Sequence, residues 1–197
     1  MIRKFISRVF GRSAPSRNGE ASVIPHAKHG IVREAISSGS RRTVETLQEN
    51  GYQAFIVGGA VRDLLAGIKP KDFDVATDAT PEQVRQCFRR SRIIGRRFQI
   101  VHVMMGQETI EVTTFRGHHG QQEGHRAQTD EQGRVLRDNV FGSQKEDAAR
   151  RDFTVNALYY DPVAQTVVDY HQGLADLGNK TLRMIGSPAT RYREDPV

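Results

Sequence analysis

The chain has 197 residues, a net charge of +6, a pI near 9.8, 37% hydrophobic residues and a mean hydropathy of −0.56. That length suits one domain with tails, and no apolar run approaches the roughly 20 residues of a membrane-spanning helix, which argues against stable membrane insertion. A single cysteine, Cys87, excludes an internal disulfide and a cysteine-rich zinc site, and the basic balance favours a polyanionic partner.

Residues 1–22 read as a basic flexible arm. Met1 to Phe10 is weakly amphipathic but lacks the long apolar stretch of a secretion signal, and Gly11 to Ala21 is rich in Ser, Gly, Arg and Asn. A disordered arm on a cytoplasmic protein is preferred over a helix attracted to RNA or to a membrane surface. Residues 23–187 then read as the folded domain.

Ile31 to Gln48 has helical periodicity closed by Asn50-Gly51. Gln53 to Val57 reads as a buried strand, Gly58-Gly59 as a sharp turn with close backbone approach, and Ala60 to Ala66 as a short helix ending near Gly67. A strand-to-helix turn presents free N–H groups and a positive dipole end, which suits an anion. Pro70 leads into Asp72-Phe73-Asp74, an extended segment whose two carboxylates are expected on one face with Phe73 turned to the core. Side by side, the two acids repel. A hard divalent cation between them relieves the repulsion, and magnesium held by one or two carboxylates plus substrate phosphates is the usual arrangement. No Walker-type loop and no dinucleotide-binding glycine fingerprint is present.

Thr80-Pro81-Glu82 starts a helix running to about Arg90, in which Cys87 is a half-buried structural thiol. Phe98 to Met105 and Thr109 to Phe115 are antiparallel strands joined at Gly106-Gln107. Between Ile110 and Val112, Glu111 either joins the aspartates as a third acid or faces solvent beside an arginine. Gly117 to Gly133 carries almost no apolar side chain, and the stretch at about 117–137 reads as a mobile loop, with His118, His119 and His125 as solvated histidines rather than metal ligands. Ser143 to Arg151 is a charged helix. After it, Arg150, Arg151, Asp152 and Asn156 combine phosphate donors with groups able to bind a ribose or order an arginine, the alternative being an ion-pair network. Ala157 to Tyr160 and Val167 to Tyr170 form an antiparallel pair, Leu182 to Ile185 a short strand, and Pro188 starts a helix at 188–197.

The ordered motifs Val57-Gly58-Gly59-Ala60-Val61-Arg62-Asp63, Lys71-Asp72-Phe73-Asp74-Val75, Gly95-Arg96-Arg97-Phe98, Glu111-Val112-Thr113-Thr114-Phe115-Arg116, Arg150-Arg151-Asp152-Phe153-Thr154 and Arg193-Glu194-Asp195-Pro196-Val197 resemble the head domain of the bacterial poly(A) polymerase and CCA-adding family. The resemblance covers almost everything from Val23 onward. Val23-Ile24-Pro25, Phe115 to His119 and Leu136 to Ser143 look more like the poly(A) polymerase side than the tRNA side.

The resemblance implies an α+β nucleotidyltransferase palm, a small mixed and largely antiparallel sheet backed by helices, which uses ATP and Mg2+ to add adenylate to RNA 3′ ends by a two-metal mechanism. It implies Asp72 and Asp74 as the metal-binding catalytic pair, Asp152 as a further catalytic aspartate, and Glu111 as the acid on the neighbouring strand. Gly58, Gly59 and Arg62 match triphosphate and nucleotide contacts. Arg151, Asp152 and Asn156 match the sugar side, and Glu194 and Asp195 match the start of a base-reading segment. In the family that segment continues through an arginine-bearing helix, so 188–197 corresponds to the start of a neck helix. RNA-decay machinery is the implied partner. CCA addition to tRNA, and a head that only binds nucleotide or RNA, are the alternatives.

Overall fold

The structure is a computed structural model that describes residues 20–95, 98–117, 128–129, 135–137 and 140–187. The expectations for the arm at 1–19, for Arg96, Arg97, His118, His119 and His125, and for 188–197 with Glu194 and Asp195 fall outside these residues.

Eight strands form one sheet: β1 (Ser22–Pro25), β2 (Ala54–Val57), β3 (Asp74–Thr77), β4 (Ser91–Ile94), β5 (Ile100–Met105), β6 (Glu108–Thr114), β9 (Leu158–Asp161) and β10 (Thr166–Asp169). Their order is β1-β10-β9-β2-β3-β6-β5-β4, and β7 (Gln128–Thr129) pairs separately with β8 (Val135–Arg137). All neighbouring pairs of the large sheet are antiparallel except β3 and β6, which run parallel. The helices are α1 (His26–His29), α2 (Ser38–Glu49), α3 (Gly59–Leu65), α4 (Pro81–Cys87), α5 (Gln144–Arg150) and α6 (Gly173–Gly178). This is the expected mixed sheet backed by helices.

Local chemistry explains where several elements begin and where expectation and structure differ. The helix expected from Ile31 starts only at Ser38, because the Ser37 hydroxyl accepts the Ser40 N–H and caps it, while Ile31 and Ile36 are buried from non-α backbone. Thr80 and Gln83 make a reciprocal capping box with Pro81 in the first turn of α4. That helix stops at Cys87 rather than near Arg90, and the chain goes on as β4, an edge strand that sequence reading missed because its arginine-flanked tetrapeptide has weak apolar alternation. Residues 182–185 make a single bridge, Phe153 to Met184, in place of a strand. The β7 and β8 pair lies inside the segment expected to be irregular.

The sheet has two unlike faces. On one, α2, α3 and α4 bury Val44, Leu47, Val61, Leu64 and Val84 against Ile56, Val75, Val101, Val103 and Val112. On the other, α5 contributes Ala148 to a smaller cluster with Val57, Ala76, Phe115, Tyr159 and Val168. Tyr159 stands edge-on to both Phe55 and Phe115, with centroids 6.2 and 6.3 Å away. On this second face the row through Tyr159 and Val57 is apolar on β9 and β2 and continues as Asp74, Glu111 and His102 on β3, β6 and β5.

His29, 1% exposed, ties α1 to the β9–β10 turn. Its Nδ1 accepts the Ile31 N–H at 3.0 Å and its Nε2 lies 3.0 Å from the Gln165 carbonyl oxygen, so the neutral Nε2–H tautomer satisfies both. Burial lowers its pKa, the Gln165 carbonyl opposes this, and His26 adds to the lowering. A folded pKa below the unfolded value means that the stabilisation is complete above about pH 6.5 and is lost as pH falls through the folded value. Urea midpoints measured between pH 8 and pH 5 are therefore expected to fall for the wild type and to fall less for His29→Gln, which does not titrate.

Candidate active site

β2 ends at Val57 because the chain turns at Gly58, whose φ of 70° and ψ of −139° lie in a region that side chains avoid. A Cβ there would stand 3.4 Å from Arg151 Nη1, so the glycine also lets the guanidinium approach the turn. Val57 is the last residue of β2 to pair with β3, and it pairs with Asp74. With no β2 partner beyond it, the strand begins at Asp74, and Asp72 lies in the approach segment rather than in the strand as expected. The two carboxylates are nonetheless close enough to interact: the Asp72 charge raises the Asp74 pKa.

On the other side of β3, parallel pairing sets Glu111 of β6 opposite Asp74. Glu111 therefore stands beside Asp74 while its side chain remains about half exposed. Partial withdrawal from water, then the charges of Glu111 and Asp72, raise the Asp74 pKa above the ordinary carboxylate value, and Arg151 opposes them. Asp74 and Glu111 line a cavity of about 250 Å³ together with Thr113, Arg116, Asp147, Arg150 and Arg151.

Arg151 is held rather than free. Its Nε donates to the Tyr159 hydroxyl at 3.1 Å, Nη2 donates to Asp147 Oδ2 at 3.3 Å, and Nη1 reaches the Asn156 carbonyl at 3.4 Å. The Tyr159 hydroxyl donates to the same Asp147 oxygen at 2.6 Å, and Asp147 Oδ1 accepts the Arg116 N–H. Burial pushes the tyrosine pKa far up, so the phenol stays a donor. α5 supplies both charged partners: Ser143 and Glu146 make a capping box at its start, and Asp147 precedes Arg151 by one turn.

A second chain of contacts begins on α3. Arg62 bonds Asp63 Oδ1 through Nε at 2.9 Å and Asn156 Oδ1 through Nη1 at 2.9 Å. Asn156 Nδ2 lies 3.3 Å from Asp152 Oδ1, which also accepts the Phe153 N–H at 2.7 Å. The exposed Asp152 thus belongs with Arg62 and Asn156, beside the glycine turn, while Asp72, Asp74 and Glu111 form the acid group. Arg151 bonds the Asn156 carbonyl on one side and lines the cavity with Asp74 and Glu111 on the other.

Sequence reading missed His102, Asp147 and Tyr159. His102 Nε2 lies 3.4 Å from Glu111 Oε1. Its signal was present: the two-residue turn at Gly106-Gln107 pairs Met105 with Glu108, and counting outward brings His102 opposite Glu111. Asp147 was signalled by its spacing from Arg151. Tyr159 carried only a strand signal.

Among the described residues, no group of three His, Cys, Asp or Glu side chains is arranged to hold a metal ion by itself. The acid group suits instead a cation completed by substrate oxygens, because each carboxylate raises the cost of ionising Asp74 and a divalent cation would lower it. No helix of the described residues is long and apolar enough to cross a membrane.

A sequence model of the poly(A) polymerase head domain matches residues 54–183. The chain is 54% identical over 178 residues to the poly(A) polymerase I of Salmonella typhimurium strain LT2, covering 89% of this chain and 38% of that protein. It is 40% identical over 156 residues to the CCA-adding enzyme of Lactobacillus helveticus, covering 78% of this chain and 36% of that one. The crystal structure of the Bacillus stearothermophilus CCA-adding enzyme in complex with CTP superposes with a TM-score of 0.63 at 34% identity, over 80% of this chain and 35% of that chain. The chain thus spans well under half the length of these relatives.

Removing Asp147 leaves the half-buried Arg151 guanidinium without its hydrogen-bonded counter-charge. Asp147→Ala is expected to lower unfolding free energy by about 3–5 kcal/mol, and Tyr159→Phe, which removes one hydrogen-bonding hydroxyl, by about 1 kcal/mol. Urea denaturation followed by circular dichroism checks both; equal small losses would show that the buried pair does not hold this wall together.

Proposed function

Because this chain belongs to the family of the poly(A) polymerase head domain, we propose that it is the head of a template-independent RNA nucleotidyltransferase that adds adenylate from ATP to RNA 3′ ends. The observation that carries the reading is the meeting of the Asp72, Asp74 and Glu111 carboxylates with Arg151 at the edge of the Gly58-Gly59 turn. Adenylate rather than CCA addition is favoured by the greater likeness to the poly(A) polymerase I relative.

In this reading Asp72 and Asp74 hold Mg2+. When bound there, the metal supplies Lewis acidity that acidifies the RNA 3′-hydroxyl and neutralises charge on the triphosphate. The side chains do the rest. The Gly58-Gly59 turn, Arg62 and Arg151 receive the phosphates, with Arg151 already oriented by Asp147 and Tyr159, so little ordering remains when nucleotide arrives. Asn156 and Asp152 form the ribose side, where Asp152 orders Asn156 and Asn156 orders Arg62. The 3′-oxygen forms its bond to the α-phosphorus as the bond to the pyrophosphate oxygen breaks, the pyrophosphate leaves with that electron pair, and the hydroxyl proton passes to solvent.

Residues 23–187 are the catalytic head in this proposal, 1–22 a basic flexible arm, and Glu194 and Asp195 the opening of the base-reading segment at 188–197. A cytoplasmic setting and contact with RNA-decay machinery belong to the same proposal.

With magnesium, labelled ATP and an oligo(A) primer, the chain is expected to elongate the primer. Asp72→Ala and Asp74→Ala are each expected to lower the rate by about 10³-fold, the equivalent of several kcal/mol of lost transition-state stabilisation, with the thermal midpoint retained. Normal elongation by either variant would remove the carboxylate assignment. Preference for a tRNA lacking its terminal residues, in the presence of CTP, would move the chain to the CCA-adding side.

A further inference from the structure

Directly paired residues on adjacent strands project from the same face of a sheet, so the register defines a row. Here the row runs Tyr159, Val57, Asp74, Glu111, His102, Arg92, from β9 through β2, β3, β6 and β5 to β4. It changes from apolar to acidic to basic within six strands. His102, directly opposite Glu111, has no role in the assignments above.

Three observations single it out. Its side chain is only 17% exposed, whereas that of Glu111 is 49% exposed, so the imidazole is the fixed partner and the carboxylate the movable one. Its Nε2 is buried and makes no hydrogen bond of good geometry, yet the Glu111 Oε1 stands 3.4 Å away. A buried ring nitrogen without a settled partner is costly, and the only acid paired with it across the strands is Glu111. Finally, Glu111 stands directly opposite Asp74 across the parallel pair of strands. Whatever fixes Glu111 therefore fixes the charge beside Asp74.

We propose that His102 is a positioning residue: Nε2–H holds Oε1 of Glu111 and leaves Oε2 turned toward Asp74, so that the carboxylate beside Asp74 is already set when a cation arrives with its substrate oxygens. The histidine touches neither cation nor nucleotide. It acts through Glu111, as partners behind a ligating carboxylate do. The inference rests on the reading of Asp72 and Asp74 as a metal-holding pair.

Manganese titration of the chain in the presence of a fixed concentration of a non-hydrolysable ATP analogue, read by the electron paramagnetic resonance of free Mn2+, tests both levels separately. His102→Gln places an amide nitrogen near the reach of Nε2, whereas the amide of His102→Asn falls short of Glu111. His102→Asn is expected to bind Mn2+ about 10-fold more weakly and His102→Gln within about threefold of wild type, the lower end of the loss seen when an outer partner is removed. In a Glu111→Gln background, His102→Asn is expected to change binding by less than about twofold, because the group through which it acts is gone. Circular dichroism melts establish that each variant is folded. Wild-type affinity in His102→Asn, equal losses in the Gln and Asn variants, or an undiminished effect in the Glu111→Gln background would each overturn the positioning role. If Asp74→Asn binds Mn2+ as tightly as wild type, the metal-holding reading fails, and the inference falls with it.

Discussion

The pairing of β3 with β6 is the constraint on which the site depends. It is the one parallel pair in the large sheet, and it sets Asp74 opposite Glu111 at the spacing of neighbouring strands, about 4.8 Å. Like charges in that position destabilise a sheet. A parallel pair also requires a long crossover, and here the crossover carries α4, β4 and β5 before the chain returns as β6. The same connection therefore creates the acid pair and delivers His102 to its outer side. The inner side falls to β2, whose end at Gly58 brings the phosphate-suited turn and Arg151 to within reach of the acids.

Arg151 meets that repulsion with a charge that cannot wander. A buried ion pair is not by itself a source of stability, since desolvation offsets much of the attraction. What Asp147 and Tyr159 provide is direction. Their three shared bonds fix the plane of the guanidinium, while Gly58 keeps the space in front of it clear of a side chain. The Arg62, Asn156 and Asp152 chain does the same for the other end of the turn. Both halves are anchored to the segment after α5, so a shift of that segment would move the two sets of contacts together.

Much of this was legible in the sequence, for identifiable reasons. Residues whose role follows from backbone geometry were readable: Gly58-Gly59 after an apolar strand, Thr80-Pro81 at a helix start, and Asp74 bounded by Val75. Asp72 was placed near Asp74 but given a strand position that it lacks, because strand ends depend on where the partner strand stops, and the glycine turn of β2 stops this one. Glu111 could not be decided from β6 alone, since its neighbour is β3, separated by the whole crossover. The helix expected from Ile31 failed for a local reason, as the Ser37 cap outweighed an apolar pattern that non-α backbone satisfies equally well. Asp147 and Tyr159 were passed over because each looks ordinary within its own element, and only their convergence on Arg151 gives them a role.

The position of the cleft follows from one change of chemistry along a single row of the sheet. Where the row reads Val168, Tyr159 and Val57, apolar surface must be covered, and α5 covers it through Ala148. Where it reads Asp74, Glu111 and His102, a covering helix would have to take carboxylates out of water, at a cost that apolar contact does not repay. The helix therefore stops covering the sheet at the point where the acids begin, and its last turn brings Arg151 to that boundary. A nucleotide's phosphates need a cation-binding face on one side and fixed positive donors on the other, and this is the line on the sheet where the two meet. The opening is thus not an insertion into the fold. It is the edge of what an amphipathic helix can bury where one row of the facing sheet turns from apolar to charged.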